Sequence, residues 1–276
     1  MRITVLGLGI IGSVWARHWA ADGHAVTTWN RTPQPDAPGF CADLVTAVVG
    51  AEVVAVVVSD PAAVADVLAR IAAQLKPGMI VCQHATIGVD DTQAAARLVQ
   101  ATGAGFLDMP FTGSKPAAEA RQVVHYVGDD ANLLSKVETV YRGTSKARIA
   151  VGGIGQAMAL KLAMNLNLAG VYQALAESFR IASAAGIPPA TYLAALDLNV
   201  GKSGLSELKK DKLVQRDWAT QFSVKHMHKD LRLALALADS LHVALPQTAE
   251  VERAYQRAQA LGLGDADFSA LAATLD

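Results

Sequence analysis

Cysteine is almost absent, with two in 276 residues, Cys41 and Cys82. Neither lies in a C-x-x-C pair or a metal-ligand spacing, which excludes a disulfide scaffold and a thiolate metal cluster. Two reduced thiols in a cytoplasmic protein are expected, a Cys41–Cys82 bridge being the one disulfide open to the chain. Charge is scarce as well: charged residues make up 18% and the formal net charge is −1. There is thus no electrostatic case for a nucleic-acid partner or an anionic membrane surface. No uncharged apolar run reaches the ~18 residues that a membrane span needs. The valine-rich stretch 53–58 is only long enough for a buried parallel strand. No repeat, low-complexity segment or long linker interrupts the chain, and its first residues read as a strand, which leaves no room for a targeting peptide. What is abundant is apolar, 52% of all residues. A chain of this length and composition folds as one large or two ordinary domains.

The most informative segment is the first. Residues 1–6 form an apolar strand, and Gly7-Leu8-Gly9-Ile10-Ile11-Gly12 follows at once, before a helix over 13–21. G-x-G-x-x-G between a strand and a helix is the context of a dinucleotide-binding turn. Gly7 permits the tight turn, Gly9 lets a pyrophosphate approach the backbone, and Gly12 lets helix and strand pack closely. The helix amides then face the phosphate charge. About 20 residues on, the second strand, 25–29, ends at Asn30-Arg31-Thr32 with no acidic residue. An acidic side chain there binds a ribose 2′-hydroxyl, whereas arginine accommodates a 2′-phosphate. Arg31 offers a planar fork to that phosphate and Asn30 and Thr32 add hydrogen bonds, so the expected cofactor is NADP(H).

Strand and helix alternate through the first half. Strands are expected at 53–58, 79–82, 105–108 and 123–128, with helices at 61–75, 89–102 and 131–141. This alternation predicts an α/β fold: a doubly wound, Rossmann-type parallel sheet. After Gly152-Gly153-Ile154-Gly155 the pattern becomes helical throughout. Residues 156–185 hold one glycine and no proline, which predicts a long interdomain helix of about eight turns, apolar on nearly every side and so buried between partners. Shorter helices follow at 189–196, 205–212, 224–241, 246–262 and 268–275. The domains are therefore expected at 1–155, binding NADP(H), and 156–276, an all-α substrate and oligomerisation domain. Such an apolar helical half suggests a homodimer or homotetramer.

Lys161, Asn165, Leu168 and Tyr172 share one face of the long helix. Burial disfavours an ammonium and brings lysine toward neutral pH, where it transfers protons efficiently. The same spacing equally fits a lysine that reaches solvent and an asparagine that caps a neighbouring loop. His226 and His228 are two apart, do not share a helix face and have no third ligand in view, so no metal site is expected.

Four motifs, in order, resemble the β-hydroxyacid dehydrogenase family over almost the whole chain. They are Gly7–Gly12; Asp108-Met109-Pro110-Phe111-Thr112-Gly113-Ser114-Lys115; Gly152–Gly155 with Lys161-Leu162-Ala163-Met164-Asn165; and Lys229-Asp230-Leu231. The resemblance implies an enzyme that acts on a small-molecule substrate, moving hydride between NADP(H) and a small carboxylated aldehyde, keto acid or β-hydroxy acid. It implies that Lys161 is the general acid/base and that Asn165 holds the substrate and orients the lysine. It implies that Thr112, Gly113 and Ser114 bind the substrate carboxylate, largely through backbone N–H groups. Thr86 would touch the nicotinamide ribose, Val58 and Ser59 would line the cofactor cleft, and Lys229 would reach the cofactor as the domains close. The chain departs from the family pattern at Phe111 and Thr112, where valine and serine are usual, at Gln83-His84, and at Glu119-Ala120-Arg121. Arg121 reads as a surface charge or as the partner of a second carboxylate. Gly23-His24 and Trp29-Asn30-Arg31-Thr32 also resemble the NADPH-dependent imine reductases. Those enzymes usually carry Asp or Tyr at the position of Lys161, and a protonated lysine repels an iminium substrate. A non-catalytic NADP(H)-binding protein is the further alternative, against which the Lys161/Asn165 pair argues.

Overall fold

A computed structural model describes residues 1–275. The chain divides into two compact units, 1–161 and 162 onward.

In the first unit the elements run β1 (Arg2–Leu6), α1 (Ile10–Ala21), β2 (Ala25–Trp29), α2 (Leu44–Ala47), β3 (Val53–Val56), α3 (Pro61–Ile71), β4 (Ile80–Gln83), α4 (Val89–Gln100) and β5 (Gly105–Asp108). β6 (Phe111–Thr112), α5 (Lys115–Glu119), β7 (Val123–Gly128), α6 (Leu134–Arg142) and β8 (Ser145–Gly152) complete it. The strands form one sheet in the order β2-β1-β3-β4-β5-β7-β6, with β8 on β7. β1 to β5 pair in parallel, whereas β7 runs antiparallel to β5 and β6. The parallel expectation thus holds for the nucleotide half and needs correction at the far edge. There β5 and β6 run on in one direction and the chain turns back through the short α5 directly into β7, and only a full crossover makes a parallel pair.

Strand side chains alternate between two cores, as the period of two demands. Leu6, Val54 and Val56 face α2, α3 and α4 through Leu44, Val67, Leu68 and Val99. Ile3, Val5, Val53 and Ala55 face α1, α5 and α6 through Trp15, Trp19, Ala118 and Val140. Covering both faces explains why these strands are apolar runs rather than alternating ones. Helix starts follow local chemistry: Asp60 accepts from the Ala63 amide at 2.9 Å, with Pro61 at the first helical position.

The second unit is helical. Helix α7 (Gln156–Ala184) runs into it and is followed by α8 (Pro189–Asp197), α9 (Gly204–Gln215), α10 (Val224–Ser240), α11 (Pro246–Ala260) and a 3₁₀ segment, Phe268–Leu275. Tyr172, Leu175 and Ala176 of α7 pack with Leu213, Leu231, Tyr255 and Leu271. A buried Lys209–Asp267 ion pair at 2.7 Å braces this core, with the ammonium over the Phe268 ring at 4.6 Å. The division between units falls inside α7, because the first turn of that helix puts Met158 into the core of the first unit. The last turns of α7 are exposed, Ile181 at 72%, where the apolar pattern predicts burial. No helix among the described residues is long and apolar enough to cross a membrane. Both cysteines are free, and burial pushes the Cys82 thiol up to about 12, which makes it inert.

Candidate active site

The strand order reverses at β1, whose neighbours are β2 and β3. A crevice opens outside the carboxyl ends of the strands at such a point. Most of the sequence-selected residues of the first unit leave the strands at that edge. Gly7–Gly12 follows β1, Asn30–Thr32 follows β2, Val58 and Ser59 follow β3, Thr86 follows β4, and beyond β5 Thr112 ends β6 with Gly113 and Ser114 after it.

The three glycines of the turn are required for different reasons. Gly7 has φ +108°, and a Cβ there would lie 2.6 Å from the Val57 carbonyl oxygen. A Cβ on Gly12 would lie 2.0 Å from the Gly7 carbonyl oxygen. A Cβ on Gly9 would meet nothing within 4 Å. The protein itself therefore demands Gly7 and Gly12, and leaves open space at Gly9, where a pyrophosphate would approach. Helix α1 begins at Ile10, three residues before the expected start, so Ile10 and Ile11 lie in its first turn, where amides have no helical partner. This arrangement fits a dinucleotide.

Asn30 is a loop anchor. Its Oδ1 accepts from the Leu8 amide at 3.0 Å and its Nδ2 donates to the Thr32 carbonyl at 2.8 Å. Arg31 and Thr32 are exposed beside it. Ser59 is exposed too and donates to Asp60 at 2.6 Å, while Val58 and Thr86 are half-buried.

Gly113 has φ +123°, with Ala117 and Val123 both 3.1 Å from a Cβ placed there, so only glycine turns this loop. The loop is pinned at its start. The Met109 amide donates to Gln83 at 2.8 Å, and its carbonyl lies 2.7 Å from His84 Nδ1. His84 Nε2 lies 2.8 Å from the Tyr141 hydroxyl.

Lys161 is half-buried on α7, and its Nζ lies 6.0 Å from the centre of the Phe111 ring. The helix that carries it is fastened by Asp108, which escaped sequence reasoning because it looked like the plain end of a strand. Its Oδ2 accepts from the amides of Gly155 at 2.9 Å and Met158 at 3.1 Å, and so caps the first turn of α7. Its Oδ1 is buried with no hydrogen-bond partner among the described residues.

In the second unit, Asn165 is buried and donates to Asp230 Oδ2 at 2.6 Å. Lys229 pairs with Asp230 Oδ1 at 2.9 Å. One carboxylate therefore ties together Asn165 and Lys229, which sequence selected separately. Asp230 itself was missed as a functional group, although it is the middle residue of the K-D-L motif. His226 lies 2.8 Å from Ser223 and stacks on Phe222, and His228 pairs with Glu252 at 2.5 Å. Arg121 meets a carboxylate of the protein, Asp22, through both guanidinium nitrogens at 2.6 and 2.9 Å, and holds that carboxyl below its usual range.

Burial lowers His84 to about 4 and His125 well below the usual histidine value, and raises Asp108 to about 6. Between pH 6.5 and 4 the unfolded chain binds protons that the buried histidines refuse, so stability falls with pH, by about 3 kcal/mol for His84. Between pH 6 and 3.8 Asp108 acts in the opposite sense, because the folded state holds its proton more tightly. Asp108→Asn removes that counterweight. Thermal denaturation from pH 7.5 to 4 should show the variant losing about 2–3 kcal/mol more than the wild type across this window. Parallel curves would refute the assignment.

Residues 2–153 match the family model described as the NAD binding domain of 6-phosphogluconate dehydrogenase. Residues 155–275 match that described as NAD-binding of NADP-dependent 3-hydroxyisobutyrate dehydrogenase. Glyoxylate/succinic semialdehyde reductase 1 of Arabidopsis thaliana is 27% identical, over 98% of this chain and 97% of its own. The cytokine-like nuclear factor N-PAC of Mus musculus is also 27% identical over 98% of this chain, which spans 50% of that protein. Among solved structures, Mycobacterium tuberculosis 3-hydroxyisobutyrate dehydrogenase with L-serine superposes at a TM-score of 0.90, with 24% identity over 99% of this chain and 98% of its own. The imine reductase of Myxococcus stipitatus in complex with NADP+ superposes at 0.68, with 20% identity over 100% of both chains. At these identities the structures speak to fold alone.

Proposed function

The chain belongs to the β-hydroxyacid dehydrogenase family, and on that premise we propose that it is an NADP(H)-dependent reductase of a small carboxylated aldehyde or keto acid, reversible as a β-hydroxy acid dehydrogenase. The observation that carries this reading is the position of Lys161. Its ammonium stands beside Phe111, at the head of the Thr112–Ser114 loop, in the same unit as the dinucleotide turn.

In this reading the backbone N–H groups of Thr112, Gly113 and Ser114 hold the substrate carboxylate. NADP(H), when bound, supplies the hydride to the carbonyl carbon or takes it back. Lys161 Nζ gives a proton to the carbonyl oxygen, yielding the hydroxy acid, and regains a proton from solvent. In oxidation Lys161 takes the hydroxyl proton. The cationic nitrogen also stabilises charge that develops on oxygen before the proton has moved. Asn165 orients the lysine from one turn away and is itself fixed by Asp230. Gly9, Ile10 and Ile11 would hold the pyrophosphate, Arg31 and Thr32 the 2′-phosphate, and Asn30 their loop. Val58, Ser59 and Thr86 would line the cleft. We place the enzyme in the cytoplasm as a homodimer or homotetramer.

The test is NADPH consumption against glyoxylate, succinic semialdehyde, methylmalonate semialdehyde, tartronate semialdehyde and one cyclic imine, each repeated with NADH. Turnover of a carboxylated aldehyde supports the reading. Turnover of the imine alone makes the chain an imine reductase, and no turnover of any of the five, with NADPH still bound in a fluorescence titration, favours a non-catalytic NADP(H) binder. Arg31→Ala should weaken NADPH about 10- to 100-fold, with NADH little changed, because only NADPH carries the phosphate that the guanidinium reads. Equal losses for both cofactors would remove Arg31 from the role.

A further inference from the structure

We propose that Phe111 is a positioning and specificity residue: its ring carries the Lys161 ammonium and walls the space beside the reacting carbonyl, so that the chain favours the smallest carboxylated aldehydes. This inference rests on the reading of Lys161 given above.

Three observations support it. First, the ammonium lies 6.0 Å from the ring centre, at the range where a cation is attracted to an aromatic face. A lysine side chain is a flexible four-carbon stem with about 2 kcal/mol of rotamer entropy, so such a contact selects among its orientations.

Second, the half-buried ring is backed on its inner side and cannot retreat there. Phe111 pairs with His125 across the β6–β7 ladder, and the Tyr126 amide donates to the Pro110 carbonyl at 2.9 Å. Behind the ring stand Trp15 at 5.0 Å, edge-on, and His125 at 6.1 Å. Trp15 is fully buried and packs in turn on His84, His125 and Trp19, at 5.0, 5.2 and 5.8 Å. This platform is a close-packed aromatic layer with no room for the ring to retreat, since overpacking a filled core is itself unfavourable. Burial keeps both histidines neutral, so the layer adds no positive charge that would push the ammonium away.

Third, Phe111 immediately precedes Thr112, Gly113 and Ser114. An oxygen that receives the Lys161 proton lies within ~3 Å of Nζ. Groups attached to the reacting carbon must therefore fit between the carboxylate loop and a fixed ring.

The experiment separates the ring's face from its bulk. Phe111→Leu keeps an apolar side chain and discards the face, whereas Phe111→Tyr keeps the face. On the smallest aldehyde acid that the wild type turns over, Phe111→Leu should lower kcat roughly 3- to 30-fold with KM little changed, and Phe111→Tyr should restore it. Phe111→Val should raise kcat/KM for a four-carbon semialdehyde relative to a two-carbon one by about tenfold. Melting temperature and NADPH affinity, measured on each variant, report folding separately. A wild type inactive on every carboxylated aldehyde defeats the functional reading. A wild type that is active, with all three variants matching it in kcat and in size preference, defeats this inference and leaves that reading standing.

Discussion

Lys161→Ala is expected to lower kcat about 10²- to 10⁴-fold while the dissociation constant for NADPH stays within about twofold. The size follows from what the residue supplies. Without Nζ the developing alkoxide has neither a positioned cation nor a proton donor, and water must serve. Cofactor affinity is spared because the dinucleotide turn follows β1, far from residue 161 in the chain and built from its own hydrogen bonds, Gly7 to Trp29 at 2.9 Å and Leu8 to Asn30 at 3.0 Å. Stability is spared too, since a half-buried lysine leaves little cavity. Lys161→Arg is the informative companion. It keeps a cation beside Phe111 but cannot release its proton, so it should be nearly as slow as alanine. Turnover by Lys161→Ala within tenfold of the wild type would end the proposed mechanism.

The second large effect is a contrast between two glycines three residues apart. Gly12→Ala puts a methyl group 2.0 Å from the Gly7 carbonyl oxygen, an overlap that only backbone movement relieves. It should cost roughly 3 kcal/mol or more and abolish NADPH binding along with it. Gly9→Ala meets no atom within 4 Å and sits at φ −71°, which alanine adopts without strain. Gly9→Ala should therefore melt like the wild type and still bind NADPH about 10- to 100-fold more weakly, because the methyl occupies space reserved for the pyrophosphate. Fluorescence titration and thermal melting distinguish the two. Wild-type NADPH affinity in Gly9→Ala would mean that the cofactor does not lie on this turn.

Sequence revealed the nucleotide half well because its signals are local. β2, β5 and β7 occupy their expected residues, and α7 ends within one residue of its expected end. Long apolar periods and glycine turns depend on neighbours along the chain. The short β6 and the strand β8 were not expected, and neither was the antiparallel edge. β8 alternates through Lys146 and Arg148 on a half-exposed surface, and a two-residue strand has no period to read. The motif residues were found, whereas their supports were not. Asp108 caps a helix 47 residues away, and Asp230 holds Asn165 from 65 residues away while it pairs with Lys229. Such pairings exist only after folding, so no spacing announces them. Phe111 was visible as a departure from the family pattern, but its contact with Lys161 needed the sheet to bring them together.

The turn after β2 separates two tasks within three residues. Asn30 is bonded into the phosphate loop, while Arg31 and Thr32 stand exposed beside it. Substituting the exposed pair leaves the core untouched, whereas losing Asn30 frees the Leu8 amide and slackens the turn. With Arg31 and Thr32 in the phosphate-reading role proposed above, selection can retune the choice between phosphorylated and unphosphorylated cofactor at almost no cost in foldability. The means of holding a dinucleotide at all is locked to the integrity of the sheet. Lineages carrying this fold should change cofactor preference readily at 31 and 32 and hold Gly7, Gly12 and Asn30 constant.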